Sequence, residues 1–239
     1  DNRNEVVDLG DTGPWKGSNT YTEVGLPFNS IYGYESMGLF QSDEEVANAP
    51  FQNSNTAAGD IRYKNQNGDD KIDANDRVVI GDPNPHFLYG VNLGFDYKNF
   101  DLNMFFQGIG QKDRVIMDNF VRPFYDSSIF EHHLDYWTPE NTGAKYPRIL
   151  NKDDGTHNYQ QSDYWMINAG YFRMKNLQIG YTIPREILRP AGFDRVRVYF
   201  SANNLFTVSD FVPGMDPESE KSVSYPFART YSFGLNVQF

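Results

Sequence analysis

Six residues between positions 65 and 76 have the types and spacing of a calcium-binding loop. Ca²⁺ prefers oxygen ligands from carboxylates, amides and backbone carbonyls. The first, third, fifth, ninth and twelfth positions offer side-chain oxygens, and the seventh offers its backbone carbonyl. The predicted ligands are Asn65, Asn67, Asp69, Lys71, Asp73 and Asp76.

This stretch resembles an EF-hand or dockerin loop but departs from it at three positions. Asn65 stands where an acidic ligand is usual, and Asp70 stands where the sharp turn usually takes glycine. Asp76 replaces the bidentate glutamate, and no helices flank the stretch. The alternative is a polar turn in which Asn and Asp side chains bond to their own backbone. The sequence is compatible with both interpretations, and calcium is a candidate cofactor that the fold does not require.

A second group of candidates is aromatic and lies between positions 108 and 170. Aromatic faces stack on sugars and on peptide side chains, and Tyr and Trp are also enriched at protein interfaces. These residues are therefore predicted either to contact a substrate or partner protein, or to pack the segment itself. They are Tyr125, Tyr136, Trp137, Tyr159, Tyr164 and Trp165.

Other chemistries are disfavoured by the residues present. His132 and His133 are adjacent, so on a strand their side chains would diverge and could not easily share a metal. The chain has no cysteine, and no nucleophile elbow, phosphate-binding loop or dinucleotide fingerprint occurs. We therefore expect no enzyme activity and no catalytic residues. The net charge of -11 argues against nucleic-acid binding, which requires a basic surface.

The elements that would position these candidates are amphipathic strands. Between Phe87 and Tyr97 apolar and polar residues alternate, and alternation resumes at Phe100 after a tight turn at Lys98 and Asn99. Such a pattern predicts an antiparallel hairpin with one apolar face. Further strands are predicted around Ile31, at 177–183, at 195–203 and at 230–239, with short helical turns near 44–47 and 187–188.

The last predicted strand ends on an aromatic residue. Its apolar face is typical of the segment that the bacterial outer-membrane assembly machinery reads. In a soluble β-sandwich, an uncharged edge strand of this kind would be an aggregation hazard. The predicted assembly signal consists of Tyr231, Phe233, Leu235, Val237 and Phe239.

Composition agrees with an outer-membrane fold class. The chain has 239 residues, of which 39% are hydrophobic and 16% are aromatic, and no run approaches about 18 apolar residues. Transmembrane strands alternate lipid-facing and lumen-facing residues, so their average hydropathy is low. The sequence therefore predicts an all-β, antiparallel outer-membrane β-barrel with long extracellular loops. The first ten residues lack the pattern of a secretory signal, so we expect any export signal to lie upstream.

Several blocks, in this order and spacing, resemble the SusC/RagA family of TonB-dependent outer-membrane transporters. No single block is decisive, but the ordered set is specific. The blocks are Ile31–Gln41, Gly59–Tyr63, Asn67–Pro83, Tyr97–Leu102, Phe172–Leu177, Ala202–Phe206, Gly214–Glu218 and Arg229–Asn236.

The resemblance implies that residues 1–239 are the C-terminal portion of a barrel of about 22 strands with a plug in its lumen. It implies roughly six strands in this chain, the remaining strands and plug elsewhere in the same transporter, and outer-membrane lipids around the wall. A SusD-like lipoprotein would cover the mouth, the TonB complex would act through the absent N-terminal part, and the cargo would be a glycan or a peptide. The location would be the outer membrane of a Gram-negative bacterium.

Two alternatives belong to other classes of protein. A secreted β-sandwich that binds glycans or acts as an adhesin through a calcium loop would be soluble without detergent. A barrel-embedded enzyme would need Ser, His and an acid on neighbouring strands, and the predicted spans contain no His beyond His86.

Overall fold

We describe a computed structural model of the chain. The structure describes residues 5–10, 13–117, 120–124, 129–150, 157–212, 214–219 and 227–239. Two compact units form: the first contains Asp1–Asn84 and Asp113–Ile167, and the second contains Pro85–Lys112 and Asn168–Phe239. Within the described ranges, no helix is both long enough and apolar enough to cross a membrane.

The described residues form short strands in the first unit and long strands in the second. In chain order the elements are β1 (Trp15–Lys16), β2 (Thr20–Thr22), β3 (Ser30–Tyr34), β4 (Ser36–Leu39), α1 (Asp43–Ala47), β5 (Ile61–Tyr63), β6 (Arg77–Gly81), β7 (Leu88–Tyr97), β8 (Phe100–Ile109), β9 (Asp113–Val115), β10 (Met166–Asn168), β11 (Tyr171–Thr182), α2 (Arg185–Leu188), β12 (Arg195–Val208) and β13 (Thr230–Gln238).

The second unit is a single antiparallel sheet of five strands in the order β13-β12-β11-β8-β7. The connection between β7 and β8 is the predicted tight turn, where Lys98 adopts a positive φ of 55°. Among the described strands of this sheet, β7 and β13 each have one paired neighbour, so both outer edges are open. The predicted hairpins and the strand at 230–239 are confirmed.

One face of this sheet is apolar across its whole width. Phe95, Leu102, Ile179, Phe200 and Phe233 lie side by side in register, one on each strand. Large side chains on this face remain exposed, and Phe233 is 86% exposed. The opposite face carries polar and charged groups, because side chains alternate between the two faces along each strand.

A bulge interrupts the sheet near one end of β11. The pairing register of β11 with both neighbours shifts between Met174 and Asn176. In the same region of β12, Asn204 adopts a positive φ of 53°. A bulge changes the direction of a side chain without ending a strand, and here the residue affected is Lys175.

The first unit contains three small sheets, with strand orders β1-β2-β3-β6, β4-β5 and β9-β10. Its described strands have at most five residues, whereas a transmembrane strand needs about 9–11. The described residues therefore supply five long wall strands rather than the roughly six expected. Helix α1 confirms the predicted helical turn, and Ser42 caps it by accepting a hydrogen bond from the backbone N–H of Glu45.

Candidate functional site

The polar face of the second unit carries an ion pair between strands that are not neighbours. Arg197 on β12 donates from Nε to Asp101 Oδ1 on β8 over 2.9 Å, and a second donor reaches the other carboxylate oxygen. Strand β11 runs between them, and Gly180 lies opposite Asp101 in register. A β-carbon at position 180 would overlap both side chains. Glycine at this position therefore makes the pair possible.

This pair lies in a concave polar surface with a volume of about 930 Å³. Asp96, Asn103, Gln178 and Arg195 contribute to the lining. In a closed barrel the polar face of the wall turns toward the lumen and the apolar face toward lipid. The surface is thus suited to contact water or other polar groups.

A second polar cluster forms around Arg173, whose side chain is only 1% exposed. Arg173 donates to both carboxylate oxygens of Asp216, at 2.7 and 2.8 Å, and also to Glu218. Its Nε donates to Thr207 Oγ1 over 2.8 Å. A buried guanidinium is tolerated only when its charge and its donors are matched in this way.

Two neighbours of Arg173 on β11 bind the same carboxylate of Glu218. Tyr171 donates its hydroxyl over 2.6 Å, and Lys175 donates from Nζ over 2.7 and 2.9 Å. Lys175 is the bulge residue, so the bulge directs its side chain toward the cluster. Sequence reasoning missed this cluster, because the opposite charges lie in two blocks 43 residues apart.

The aromatic candidates lie in the first unit and are largely packed. Trp137 and Trp165 are buried, at 7% exposure each. Burial raises the pKa of Tyr159 to about 12 and the pKa of Tyr164 to about 12, and Tyr136 is half-buried. Tyr125 lies outside the described residues. This burial favours packing of the segment over direct substrate contact, which stays a prediction.

Trp165 is bonded to a buried polar network that the sequence did not reveal. Asp60 is 3% exposed and accepts from Arg148 at 2.7 and 3.0 Å. Asn158 donates to Asp60 over 2.7 Å and accepts from the backbone N–H of Ile61 over 2.8 Å. The backbone carbonyl of Asn158 accepts from Trp165 Nε1 over 2.7 Å. The network therefore joins segments almost 100 residues apart.

The predicted calcium ligands lie in one loop, where each side chain already has partners. Asn67 and Asp69 each accept from the backbone N–H two residues on, at 2.9 Å, and Asn65 accepts from Gly68 at 2.6 Å. Asp73 forms an ion pair with Lys71 over 2.6 Å. Such bonds are expected from the alternative interpretation, in which the loop is a polar turn whose Asn and Asp side chains bond to their own backbone.

The side chain of Asp76 lies inside this loop and holds two parts of its backbone together. Its carboxylate is fully buried and accepts from the backbone N–H groups of Gln66, at 2.8 Å, and Asp73, at 2.7 Å. Asp73 and Asp76 form a capping box on the short 3₁₀ helix Ala74–Asp76. Calcium binding by this loop stays a prediction, and a bound ion would have to replace part of this bonding.

The two adjacent histidines do not diverge, and that expectation is wrong. They belong to a 3₁₀ helix, Glu131–Leu134, and their ring centroids are 4.2 Å apart. Both Nε2 atoms lie within 2.8 Å of the Phe120 carbonyl oxygen, and His133 Nδ1 accepts from the backbone N–H of Phe130. The carbonyl requires a donor, so Nε2 of His133 carries the proton. A metal bound at that nitrogen would need the opposite tautomer.

The predicted assembly residues all lie at the exposed apolar face of β13 or directly after it. Their exposures range from 39% for Val237 to 86% for Phe233. Phe239 contacts Phe193, with ring centroids 5.2 Å apart. Recognition of this strand by the assembly machinery stays a prediction.

Together these features define a class of protein. Antiparallel strands of nine to fourteen residues carry one exposed apolar face and one polar face. They match the about 9–11 residues of a transmembrane strand. The sheet is therefore part of the wall of an outer-membrane β-barrel, which the described strands do not close.

Curated relatives identify the family more closely. The chain is 31% identical, over 90% of its length, to TonB-dependent receptor P3 of Formosa agariphila, and 29% identical over its full length to TonB-dependent receptor P26 of the same organism. It is 27% identical over 94% of its length to TonB-dependent receptor SusC of Bacteroides thetaiotaomicron. No protein-family model matches the chain. The chain is thus related along its length to TonB-dependent receptors, SusC among them.

Solved structures agree on the fold. The RagAB peptide transporter matches 98% of the chain with a TM-score of 0.74 at 22% identity, and the RagAB peptide importer in its closed-closed state matches with a TM-score of 0.75. The chain covers 26% of the matched RagAB chain and 21–28% of the curated relatives. It thus spans about a quarter of their length.

Proposed function

We propose that the chain is part of the wall and loops of a TonB-dependent importer of nutrient oligomers in the outer membrane of a Gram-negative bacterium. The observation that carries this proposal is the five-strand sheet with an exposed apolar face and a charged opposite face. Exposure of these apolar side chains would be unfavourable in water, whereas their contact with lipid is favourable. The family of the relatives supplies the transport role.

The open edges of β7 and β13 indicate that the wall of the importer needs further strands. Unpaired backbone groups at a sheet edge are costly within a bilayer, so membrane sheets close into barrels. The remaining strands must then come from other parts of the same transporter. We propose that these parts also include a plug in the lumen, and that the TonB complex acts through a region outside this chain.

The proposed cargo is an oligosaccharide or a peptide, delivered with the help of a SusD-like lipoprotein at the mouth of the barrel. Support comes from similar proteins, which include the receptor SusC and the RagAB peptide transporter. The residues of this chain are proposed to seal the wall, line the lumen and form extracellular loops. No covalent chemistry is proposed for them.

The soluble β-sandwich fits the structure less well. A sandwich buries one face of each sheet against the other sheet. Here the apolar residues of the second unit remain exposed, including Phe95 at 59% and Phe233 at 86%. The five wall strands also contain no histidine, which the barrel-enzyme alternative would need.

The test starts from the native bacterium. Outer membranes are isolated and solubilised in detergent, the chain is captured by an affinity tag, and co-purifying polypeptides are identified by mass spectrometry. We expect the remainder of a TonB-dependent receptor together with a lipoprotein. Recovery of the chain in the soluble fraction, without either polypeptide, would overturn the proposal. Growth of a deletion strain on peptides or on defined glycans as sole nutrient then separates the two cargo classes.

A further inference from the structure

The Arg173 cluster fixes a segment of the β12–β13 connection onto the polar face of the wall sheet. We name residues 209–212 and 214–219 the inward segment. Asp216 and Glu218 of this segment are bound to β11 by the bonds described above. Where this segment leaves β12, Ser209 donates to the Gly170 carbonyl over 2.7 Å. The segment is therefore attached to the wall at two places.

The segment also carries two buried apolar side chains. Phe211 and Val212 are buried, at 6% and 9% exposure. A turn follows, in which the backbone N–H of Met215 donates to the Val212 carbonyl over 3.1 Å, and Gly214 has a positive φ of 84°. Buried side chains and a turn give the segment a defined conformation, whereas loops with few buried contacts open easily.

Since the attachment is on the polar face, barrel closure places the inward segment inside the lumen. Between the segment and the wall lies a cavity of about 400 Å³, lined by Asn204, Thr207 and the half-buried Met215 among other residues. The segment belongs to the end of the sheet opposite the tight turn at Lys98. Long connections are found at the extracellular end of such barrels, where cargo enters.

We propose that the inward segment narrows the transport path at this end and contacts the cargo, and that Arg173 is the positioning residue that holds it there. The inference rests on the proposed transport function for its role and on the Arg173 contacts for its geometry. Charge-assisted bonds to a buried bidentate carboxylate are among the stronger polar contacts in proteins. Loss of the Asp216 charge removes the most buried of these bonds and should loosen the segment, which Glu218 still holds, while the strands remain paired.

The first test measures the position of the segment without reference to transport. The chain has no cysteine, so Val212→Cys introduces one reporter thiol into it, and any cysteine in the remainder of the full transporter is replaced by serine. We expect slow reaction with a membrane-impermeant maleimide, and a rate about tenfold higher when Asp216→Asn is added. The control adds Asp210→Asn instead, at an exposed carboxylate of the same segment. Equal rates in all three proteins would overturn the role of the Arg173 cluster.

The second test measures transport with the same residue modified in two ways. Met215→Cys is labelled with either a methyl-sized or a polymer-sized thiol reagent in intact cells. We expect the large adduct to abolish uptake and the small adduct to preserve it. Unchanged uptake with the large adduct would overturn the proposal. Absence of uptake by the unmodified parent would overturn the proposed function instead, while the labelling rates would still decide where the segment lies.

The role of Arg173 has its own readout. Asp216→Asn should raise uptake of long oligomers relative to short ones, because the loosened segment narrows the path less. A purely structural defect would lower both by the same factor. Arg173→Lys keeps the charge, and we expect it to retain part of the wild-type length preference. An unchanged ratio in Asp216→Asn would contradict a positioning role.

Discussion

Arg197 and Asp101 form an ion pair across the full width of an intervening strand. The pair joins β12 to β8, and Gly180 of β11 leaves the space through which the two side chains meet. Both side chains are mostly buried, with 14% and 20% of their surface exposed. The contact therefore spans three strands of the wall, whereas an ordinary cross-strand pair spans two.

The dependence of this pair on glycine gives a first prediction. Gly180→Ala should destabilise the barrel by about 1–3 kcal/mol, because the added β-carbon displaces the ends of both side chains and breaks their charge-assisted bonds. The measurement is the temperature at which the folded transporter loses its compact mobility on an SDS gel. Gly94→Ala is the matched control, because a β-carbon there would meet only Asn103, at 3.3 Å. Equal shifts for the two variants would contradict the interpretation.

Assignment of the apolar face to lipid gives a second prediction. Leu93→Arg places a charge on that face near the middle of β7 and should cost about 2–4 kcal/mol. Its neighbour Asn92 points to the polar face, so Asn92→Arg should change stability little. Urea unfolding of the transporter in lipid vesicles measures both. A larger loss for Asn92→Arg would reverse the assignment of the faces.

The loop at 65–76 gives a third prediction. The calcium hypothesis predicts stabilisation by about 2.7 kcal/mol when calcium is present at a hundredfold excess over its dissociation constant. Asp69→Asn should remove this increment, whereas Asp70→Asn, outside the predicted ligands, should keep it. The comparison uses detergent-purified transporter with calcium or with chelator. Identical unfolding temperatures in both conditions would leave the self-bonded polar turn as the interpretation.

The wall was predictable from sequence because its signal is local. Alternation between Phe87 and Tyr97, and again after Phe100, specifies strands and faces through a period of two residues. The bulge at Lys175 was not predicted, although the apolar positions change from even numbers at Phe172 and Met174 to odd numbers at Leu177 and Ile179. Pairing with the two neighbouring strands places the register shift at that change.

The site was less predictable because its contacts are long-range. Nothing local connects Arg173 to Asp216, or Asp60 to Arg148, 88 residues away. The aromatic candidates were recognised as a group, but the burial of Trp137 and Trp165 depends on packing from distant segments. Adjacent histidines were expected to diverge because a strand was assumed. A 3₁₀ helix brings the two rings together instead.

His133 gives the last prediction, which concerns pH. Burial lowers its pKa, the neighbouring His132 lowers it further, and the bond to the Phe120 carbonyl only partly opposes them. The folded state therefore favours the neutral ring, whereas the opened chain has an ordinary pKa of about 6.5. Stability of this region is fully present above that value. As the pH falls below about 6.5, the region loses stability, and its equilibrium constant for opening rises by up to tenfold per pH unit.

Protonation also has a local structural consequence. Nδ1 of His133 accepts from the backbone N–H of Phe130 at 3.2 Å, and a proton on Nδ1 would turn this acceptor into a second donor. Hydrogen exchange of the Phe130 and His133 amides, corrected for intrinsic rates, should show protection at pH 8 that declines toward pH 5. His133→Gln should remove the decline, and His132→Phe should only reduce it. A decline in His133→Gln as steep as in the parent would exclude His133 as the group responsible.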